Sequence, residues 1–316
     1  MNFTSAPWPA VFPPPLQPGD LVAVVATARK ITAAEIAPAV RLLESWNLRV
    51  QLGATIGAED HQFAGSDALR RADLQQALDD PTVRAVLGAR GGYGTARLLD
   101  GLDLRGFRAY PKWVAGFSDL TALLAHLWRH AGTVSLHATM PVLMGRPEHE
   151  IADESLRQLL FGEPLAYVAP PHPLNRAGAA RGRLLGGNLT VLHTLLGTAS
   201  DVDWTGAILF LEDLDEYLYH IDRMLGHLAR TGRLAGLAGL VVGHFSLMRD
   251  NTVPFGHAAA DIIRHHVAAY DFPVGFGFPA GHEPLNTAFI HGAEVALTVD
   301  AAGVALRYDS TPVVAA

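Results

Sequence analysis

The segment Lys112-Trp113-Val114-Ala115-Gly116-Phe117-Ser118-Asp119-Leu120 is a short apolar run that reaches a serine and passes directly into a helical pattern. A serine at such a junction gains an Oγ exposed by the sharp turn, and N–H groups at the helix start that can hold an oxyanion. The G-x-S-x-G spacing of hydrolase elbows is incomplete here, because Asp119-Leu120 stands where that pattern ends. The competing reading is that Ser118 or Asp119 only caps the helix. A second candidate, Arg90-Gly91-Gly92-Tyr93-Gly94, follows the apolar run from Val83 to Ala89. Open parallel sheets bind ligands outside the carboxyl ends of their strands, where both this loop and Ser118 fall. Glycine lets backbone approach a ligand, so the Gly92 N–H is a candidate second oxyanion donor. A plain tight turn and a dinucleotide cradle compete. The cradle is the weaker, since Arg97 stands where its third glycine belongs and Thr27-Ala28-Arg29 follows the first strand with no glycine.

A serine nucleophile needs a base and an acid that orients it. The run Ala207 to Leu211 ends in Glu212-Asp213, and a carboxylate at a strand end is well placed to orient an imidazole. Asp215 and Glu216 read instead as favouring the positive end of the helix from Tyr217. Among 15 histidines, His282 stands out because Gly277 to Pro284 is an irregular loop after a strand, where catalytic groups concentrate. His220, His227, His265 and His266 read as helix-face side chains. No H-E-x-x-H occurs, and His282-Glu283 has no second histidine at ligand spacing, so no metal site is expected.

These residues need a scaffold. The chain has 316 residues, more than one core usually holds, so two domains are expected. A net charge of −7 with no basic run argues against a nucleic-acid partner. There is no cysteine, which excludes disulfides, a thiolate nucleophile and cysteine-ligated zinc. Met1 to Asp20 is proline-rich and does not read as a secretory signal. The apolar runs are too short to cross a bilayer, and cytoplasm is the expected location. Apolar strands at 21–26, 48–52, 83–89 and 112–117 alternate with helical patterns at 33–46, 66–80 and 120–128. That alternation predicts a parallel sheet with right-handed crossovers. Beyond Ala169-Pro170-Pro171-His172-Pro173, strands fit at 181–185, 207–211, 237–242, 295–299 and 304–308, and helices at 189–196, 217–230 and 258–269. The expected fold is α/β: a Rossmann-like or flavodoxin-like domain at 19–165 after a proline-rich arm at 1–18, a linker at 166–180, and a mixed, strand-rich α/β domain at 181–316.

The segments together resemble the LD-carboxypeptidase family of serine peptidases, which includes murein tetrapeptide carboxypeptidases and microcin self-immunity peptidases. The resemblance runs from Leu16-Gln17-Pro18-Gly19-Asp20 to about Tyr308. It is carried by Ala89-Arg90-Gly91-Gly92-Tyr93-Gly94, Gly116-Phe117-Ser118-Asp119, Leu185-Gly186-Gly187-Asn188-Leu189, Leu211-Glu212-Asp213, Tyr219 to Leu225, and Gly281-His282 with Asn286. It implies a triad of Ser118, Glu212 and His282 at a domain interface, and an oxyanion hole from the N–H groups of Asp119 and Gly92. It implies no metal or organic cofactor. The implied reaction, part of peptidoglycan recycling, releases a terminal D-amino acid from an L,D bond in a small cell-wall tetrapeptide, and the implied assembly is a homodimer. Arg90 and Asn188 are candidate substrate contacts, a cation suiting a free carboxylate end; for Arg90 the competing reading is a surface ion pair. A proline expected shortly before Gly292 is missing, with Phe289-Ile290-His291 in its place, which leaves open the shape of the loop behind His282. Two alternatives stand beside this reading. One is a related peptidase acting on peptide–nucleotide conjugates. The other is a non-catalytic α/β protein binding a small anion, in which Ser118 and His282 would not meet.

Overall fold

The computed structural model describes residues 9–163 and 165–308. The first eight residues of the proline-rich arm and residues 309–316 lie outside the described residues. The first half runs β1 (Leu21–Val25), α1 (Ala33–Ser45), β2 (Arg49–Leu52), α2 (Asp67–Asp79), β3 (Val83–Gly88), α3 (Arg105–Ala109), β4 (Trp113–Gly116), α4 (Thr121–Ala131), β5 (Ser135–His137) and α5 (Glu150–Leu160). The second runs β6 (Ala166–Ala169), β7 (Gly178–Asn188), α6 (Leu189–Leu195), β8 (Ile208–Leu214), α7 (Leu218–Arg230), β9 (Gly239–Ser246), α8 (Ala259–Val267), β10 (Val274–Phe276), β11 (Phe289–His291), β12 (Glu294–Asp300) and β13 (Gly303–Tyr308).

Strands β1, β3 and β4 are almost continuously apolar because helices cover both faces of a parallel sheet. The sheet order is β11-β5-β4-β3-β1-β2, with β2 to β5 parallel to one another and β11 antiparallel on the edge. The parallel part has the flavodoxin-like order 2-1-3-4-5, whose ligand crevice opens where the strand order reverses. Helix starts follow the local chemistry. At α1, Thr32 Oγ1 accepts from the Glu35 N–H while the Glu35 carboxylate accepts from the Thr32 N–H, a reciprocal cap. At α2, Ser66 Oγ accepts from the Leu69 N–H, as expected.

The second sheet has the order β10-β9-β8-β7-β12-β13-β6. Strands β7 to β10 are parallel, while β12, β13 and β6 add antiparallel pairs beyond β7. It is therefore mixed and strand-rich toward its end. Two segments differ from the expectation. Residues 166–169, read as linker, form β6 and pair with β13, because Tyr167 is buried with its hydroxyl donating to the Ala288 carbonyl. Phe289-Ile290-His291 is not loop but β11, which leaves the second half to pair with β5. The chain then turns at Gly292, where φ is 94° and an added Cβ would fall 2.6 Å from Trp128.

The described part of the arm is fastened to the first half. Val11 exchanges backbone hydrogen bonds with Gly132 and Val134, Trp113 Nε1 donates to the Pro14 carbonyl, and Leu16 is buried. No helix among the described residues is long and apolar enough to cross a membrane.

Candidate active site

Ser118 sits two residues past the end of β4 with φ 61°, in the left-handed region that L-residues other than glycine avoid. A short 3₁₀ turn, Ser118–Leu120, then feeds α4. This combination turns the chain sharply and leaves the side chain projecting from the sheet's carboxyl edge, the geometry of a nucleophile elbow. Tight neighbours make the turn possible. A Cβ on Gly91 would lie 3.0 Å from Ser118 Oγ and Cβ, so a larger residue there would crowd the serine.

Glu212 and His282 arrive from the second half. Glu212 lies in β8, where the register with β9 shifts between Leu211 and Asp213. Such an irregularity re-aims side chains next to sites. Here Leu211, Glu212 and Asp213 are consecutively buried, and Glu212 is 0% exposed. His282 lies in the loop after β10; Asn286 Oδ1 accepts from the Gly281 N–H at 2.9 Å and fixes the turn that presents it. The three side chains meet. His282 Nδ1 is 2.6 Å from Glu212 Oε2, and His282 Nε2 is 3.0 Å from Ser118 Oγ. A carboxylate only accepts, so Nδ1 carries the proton and donates to Glu212, leaving Nε2 to accept from the serine hydroxyl. Phe117 packs against the imidazole at 4.8 Å between ring centroids.

Burial alone would lower the pKa of His282. The hydrogen bond and charge of Glu212, with Asp213 and Glu283 nearby, outweigh it and hold the pKa above the usual histidine value. Asp213, beside Glu212, is pushed up to about 6 by burial. Behind the site His137 is fully enclosed, stacked on Phe289 at 4.6 Å. Burial, reinforced by the charge of His282, lowers it to about 3 and keeps it neutral.

Ser118 and His282 open onto a cleft of about 530 Å³ that Gly92, Asp119, Arg90 and Asn188 also line. Asp119 follows Ser118 at the start of the helical turn, and Gly92 lines the same cleft with φ 123°. Both sequence-predicted backbone donors thus border the cleft beside the serine. The two substrate-contact candidates are more occupied. Arg90 donates to the Lys30 carbonyl at 3.3 Å and stands 3.7 Å from Glu35. Asn188 caps α6, accepting from the Val191 N–H, and donates to Asp213 Oδ1 at 2.9 Å. Asp215 pairs with Arg249, and Glu216 with His220 across one helical turn. His265 lies on α8 and His266 pairs there with Asp222; His227 on α7 contacts His193.

Two participants escaped the sequence reading. The Asp119 carboxylate is buried and accepts from the Thr95 N–H at 2.8 Å, while Thr95 Oγ1 meets Thr27 Oγ1 at 2.7 Å. These bonds tie the loops after β1, β3 and β4 together. Arg29, just beyond β1, lines the cleft as well. Its position after the strand next to the point of order reversal was the available signal. No group of three or more metal-ligating side chains occurs among the described residues.

Comparison with known proteins places the chain in a family. Residues 22–138 match the LD-carboxypeptidase N-terminal domain and residues 181–297 the LD-carboxypeptidase C-terminal domain. The chain is 34% identical over 293 residues to a probable murein peptide carboxypeptidase of Bacillus subtilis, covering 90% of this chain and 91% of that one. It is 30% identical over 286 residues to a murein tetrapeptide carboxypeptidase of Pseudomonas aeruginosa, covering 87% and 92%. The crystal structure of a muramoyltetrapeptide carboxypeptidase from Oxalobacter formigenes superposes with a TM-score of 0.82 at 28% identity, over 92% of this chain and 99% of that one. The chain belongs to the LD-carboxypeptidase family and is a serine-type carboxypeptidase, a hydrolase.

Proposed function

We propose that this protein releases a C-terminal D-amino acid from the L,D bond of a murein-type tetrapeptide, through a triad of Ser118, His282 and Glu212. The observation that carries the reading is the bridge His282 makes between Ser118 Oγ and the fully buried Glu212. His282 Nε2 takes the serine proton as Oγ attacks the scissile carbonyl, and Glu212 stabilises the imidazolium that forms. The N–H groups of Gly92 and Asp119 hold the oxyanion. His282 then gives its proton to the departing amine, and water, activated by the same imidazole, hydrolyses the acyl-enzyme. The reading extends to a cytoplasmic homodimer in peptidoglycan recycling, on family resemblance.

Two observations favour it over its rivals. A non-catalytic anion binder has no need of a serine within hydrogen-bond reach of a histidine that is itself held by a carboxylate. Over a peptide–nucleotide conjugate, the reading is favoured by the relatives named murein peptide and murein tetrapeptide carboxypeptidase, which are 34% and 30% identical to this chain.

Stereochemistry tests the proposal. With the terminal carboxylate fixed, inverting the last residue misplaces the scissile bond, and a misplacement of about 1 Å costs roughly 100-fold. The kcat/KM for the L,D-linked tetrapeptide is therefore expected to exceed that for the all-L diastereomer by at least that factor. Equal values, or preference for the all-L peptide, would reject the substrate while leaving the serine mechanism standing. Preferential turnover of a peptide–nucleotide conjugate would install the first alternative.

A further inference from the structure

The cleft beside Ser118 is lined by two arginines whose circumstances differ. Arg90 is partly answered by the protein itself, through Glu35 and the Lys30 carbonyl. Arg29 has no ion pair and no side-chain hydrogen bond among the described residues. Its stem lies directly on Gly92: a methyl group there would fall 2.3 Å from Arg29 Cγ and 2.4 Å from Cδ. The glycine at 92 therefore serves Arg29 as much as it serves the loop, since any side chain would displace the arginine.

The acids of the cleft leave Arg29 without an internal partner. Asp119 accepts from Thr95, Asp213 from Asn188 and Thr190, Asp215 is paired with Arg249, and Glu216 with His220. Arg29 is exposed on the cleft wall, so its guanidinium is open to an anion from outside. Its planar fork suits a carboxylate, which it binds through two parallel N–H···O bonds.

We propose that Arg29, and not Arg90, binds the free C-terminal carboxylate of the substrate and so makes the enzyme an exopeptidase that removes one residue. This rests on the peptidase reading above. The reach supports it. Arg29 packs on Gly92, the residue whose N–H the proposed mechanism assigns to the oxyanion, and one residue spans about 3.8 Å from Cα to Cα. An anchor beside the oxyanion donor leaves room for a single residue between the broken bond and the carboxylate. An endopeptide, with no carboxylate there, would leave the arginine buried against substrate and unpaired, which is costly.

The test compares the L,D-linked tetrapeptide as free acid and as C-terminal amide, in wild type, Arg29→Met, Arg29→Lys and Arg90→Met. Wild type is expected to prefer the acid by about 100-fold in kcat/KM, the scale of a charge-assisted contact. In Arg29→Met the acid loses about that factor, mostly in KM, the amide changes little, and the preference disappears. Arg29→Lys restores part of it, because the charge returns without the fork. Arg90→Met keeps the preference. A preference that survives in Arg29→Met, or that vanishes in Arg90→Met instead, overturns the assignment. Should Arg29→Met fail to fold, Arg29→Lys and the wild-type ratio still decide, since a wild-type ratio near one also overturns it. A wild type that cleaves neither peptide removes the murein-tetrapeptide reading and this inference with it; a wild type that cleaves both equally well removes the inference alone.

Discussion

Ser118 combines a hydrogen bond to a half-buried histidine with a backbone conformation that costs free energy, and the two belong together. A serine acting only as a helix cap needs extended backbone, whereas a left-handed one stores strain that is characteristic of functional positions. Ser118→Ala removes only the hydroxyl, so thermal unfolding is expected to stay near wild type while kcat/KM falls by roughly four to six orders of magnitude, as when other triads lose a member. A folded Ser118→Ala protein with wild-type turnover would move the chemistry elsewhere. The pH dependence follows from His282. It must be neutral to act as base, and the hydrogen bond and charge of Glu212 hold its pKa up against burial. The rate is thus expected to be full at high pH and to fall as pH drops through that raised pKa, with the acid limb of kcat/KM lying above the ordinary value of about 6.5. Glu212→Gln removes the charge that raises it. That variant should shift the limb to lower pH and cut the rate by roughly 10⁴-fold, the scale seen when a triad loses its orienting carboxylate. An acid limb unmoved in Glu212→Gln would mean that another group titrates.

Among the elements, the tie between the loops after β1, β3 and β4 sets where the proposed oxyanion donors, the N–H groups of Gly92 and Asp119, stand. Asp119 is buried, and its carboxylate accepts from Thr95, one residue past the Gly94 that ends the glycine loop. Asp119→Ala leaves the Thr95 N–H without that acceptor, an expected cost of about 1–3 kcal/mol in urea unfolding. It should also lower kcat, because the loop that carries Gly92 is then no longer tied to the turn at Ser118; full activity with unchanged stability would show that the loop needs no such tie. This bond marks the boundary of what was legible beforehand. Strands β1, β3, β4, β8 and β9 were readable because burial on both faces leaves long apolar runs. Ser118, Glu212 and His282 were readable because each ends a strand or sits in the loop that follows one. The three-residue strands β5 and β11 carry too few positions for any period to register. Strand β6 was masked by the prolines that follow it. Phe289-Ile290-His291 stood out only as a missing proline, yet an edge strand with the Ile290 N–H donating to the Tyr308 hydroxyl has a use for the proton that proline lacks. The roles of Asp119 and Arg29 depend on distances between loops far apart in the chain, and no local pattern records them.

For the molecule as a whole, the question is how two sheets keep a serine of one and a Glu–His pair of the other within 3.0 Å. They share their interior. One buried apolar cluster contains Val22 and Val114 of the first sheet together with Leu185 and Leu209 of the second. Across it, β11 carries Phe289 to stack on His137 of β5, while Phe210 of β8 meets the same imidazole edge-on at 5.1 Å. Thr121 at the start of α4 accepts from the Asn188 N–H, so the helix behind the nucleophile also touches the end of β7. Two independent cores joined by a mobile linker would let the site open at little cost, whereas a common core makes closure of the triad part of folding itself. The full chain is therefore expected to unfold in a single calorimetric transition whose van't Hoff and calorimetric enthalpies agree. By the same argument, a fragment of residues 1–165 lacks β11, exposes the β5 edge and part of the shared core, and should bind a hydrophobic dye and aggregate. Two well-separated transitions, or a monomeric 1–165 fragment with a sharp transition of its own, would mean that each half has its own core and that the triad is assembled by docking rather than by folding.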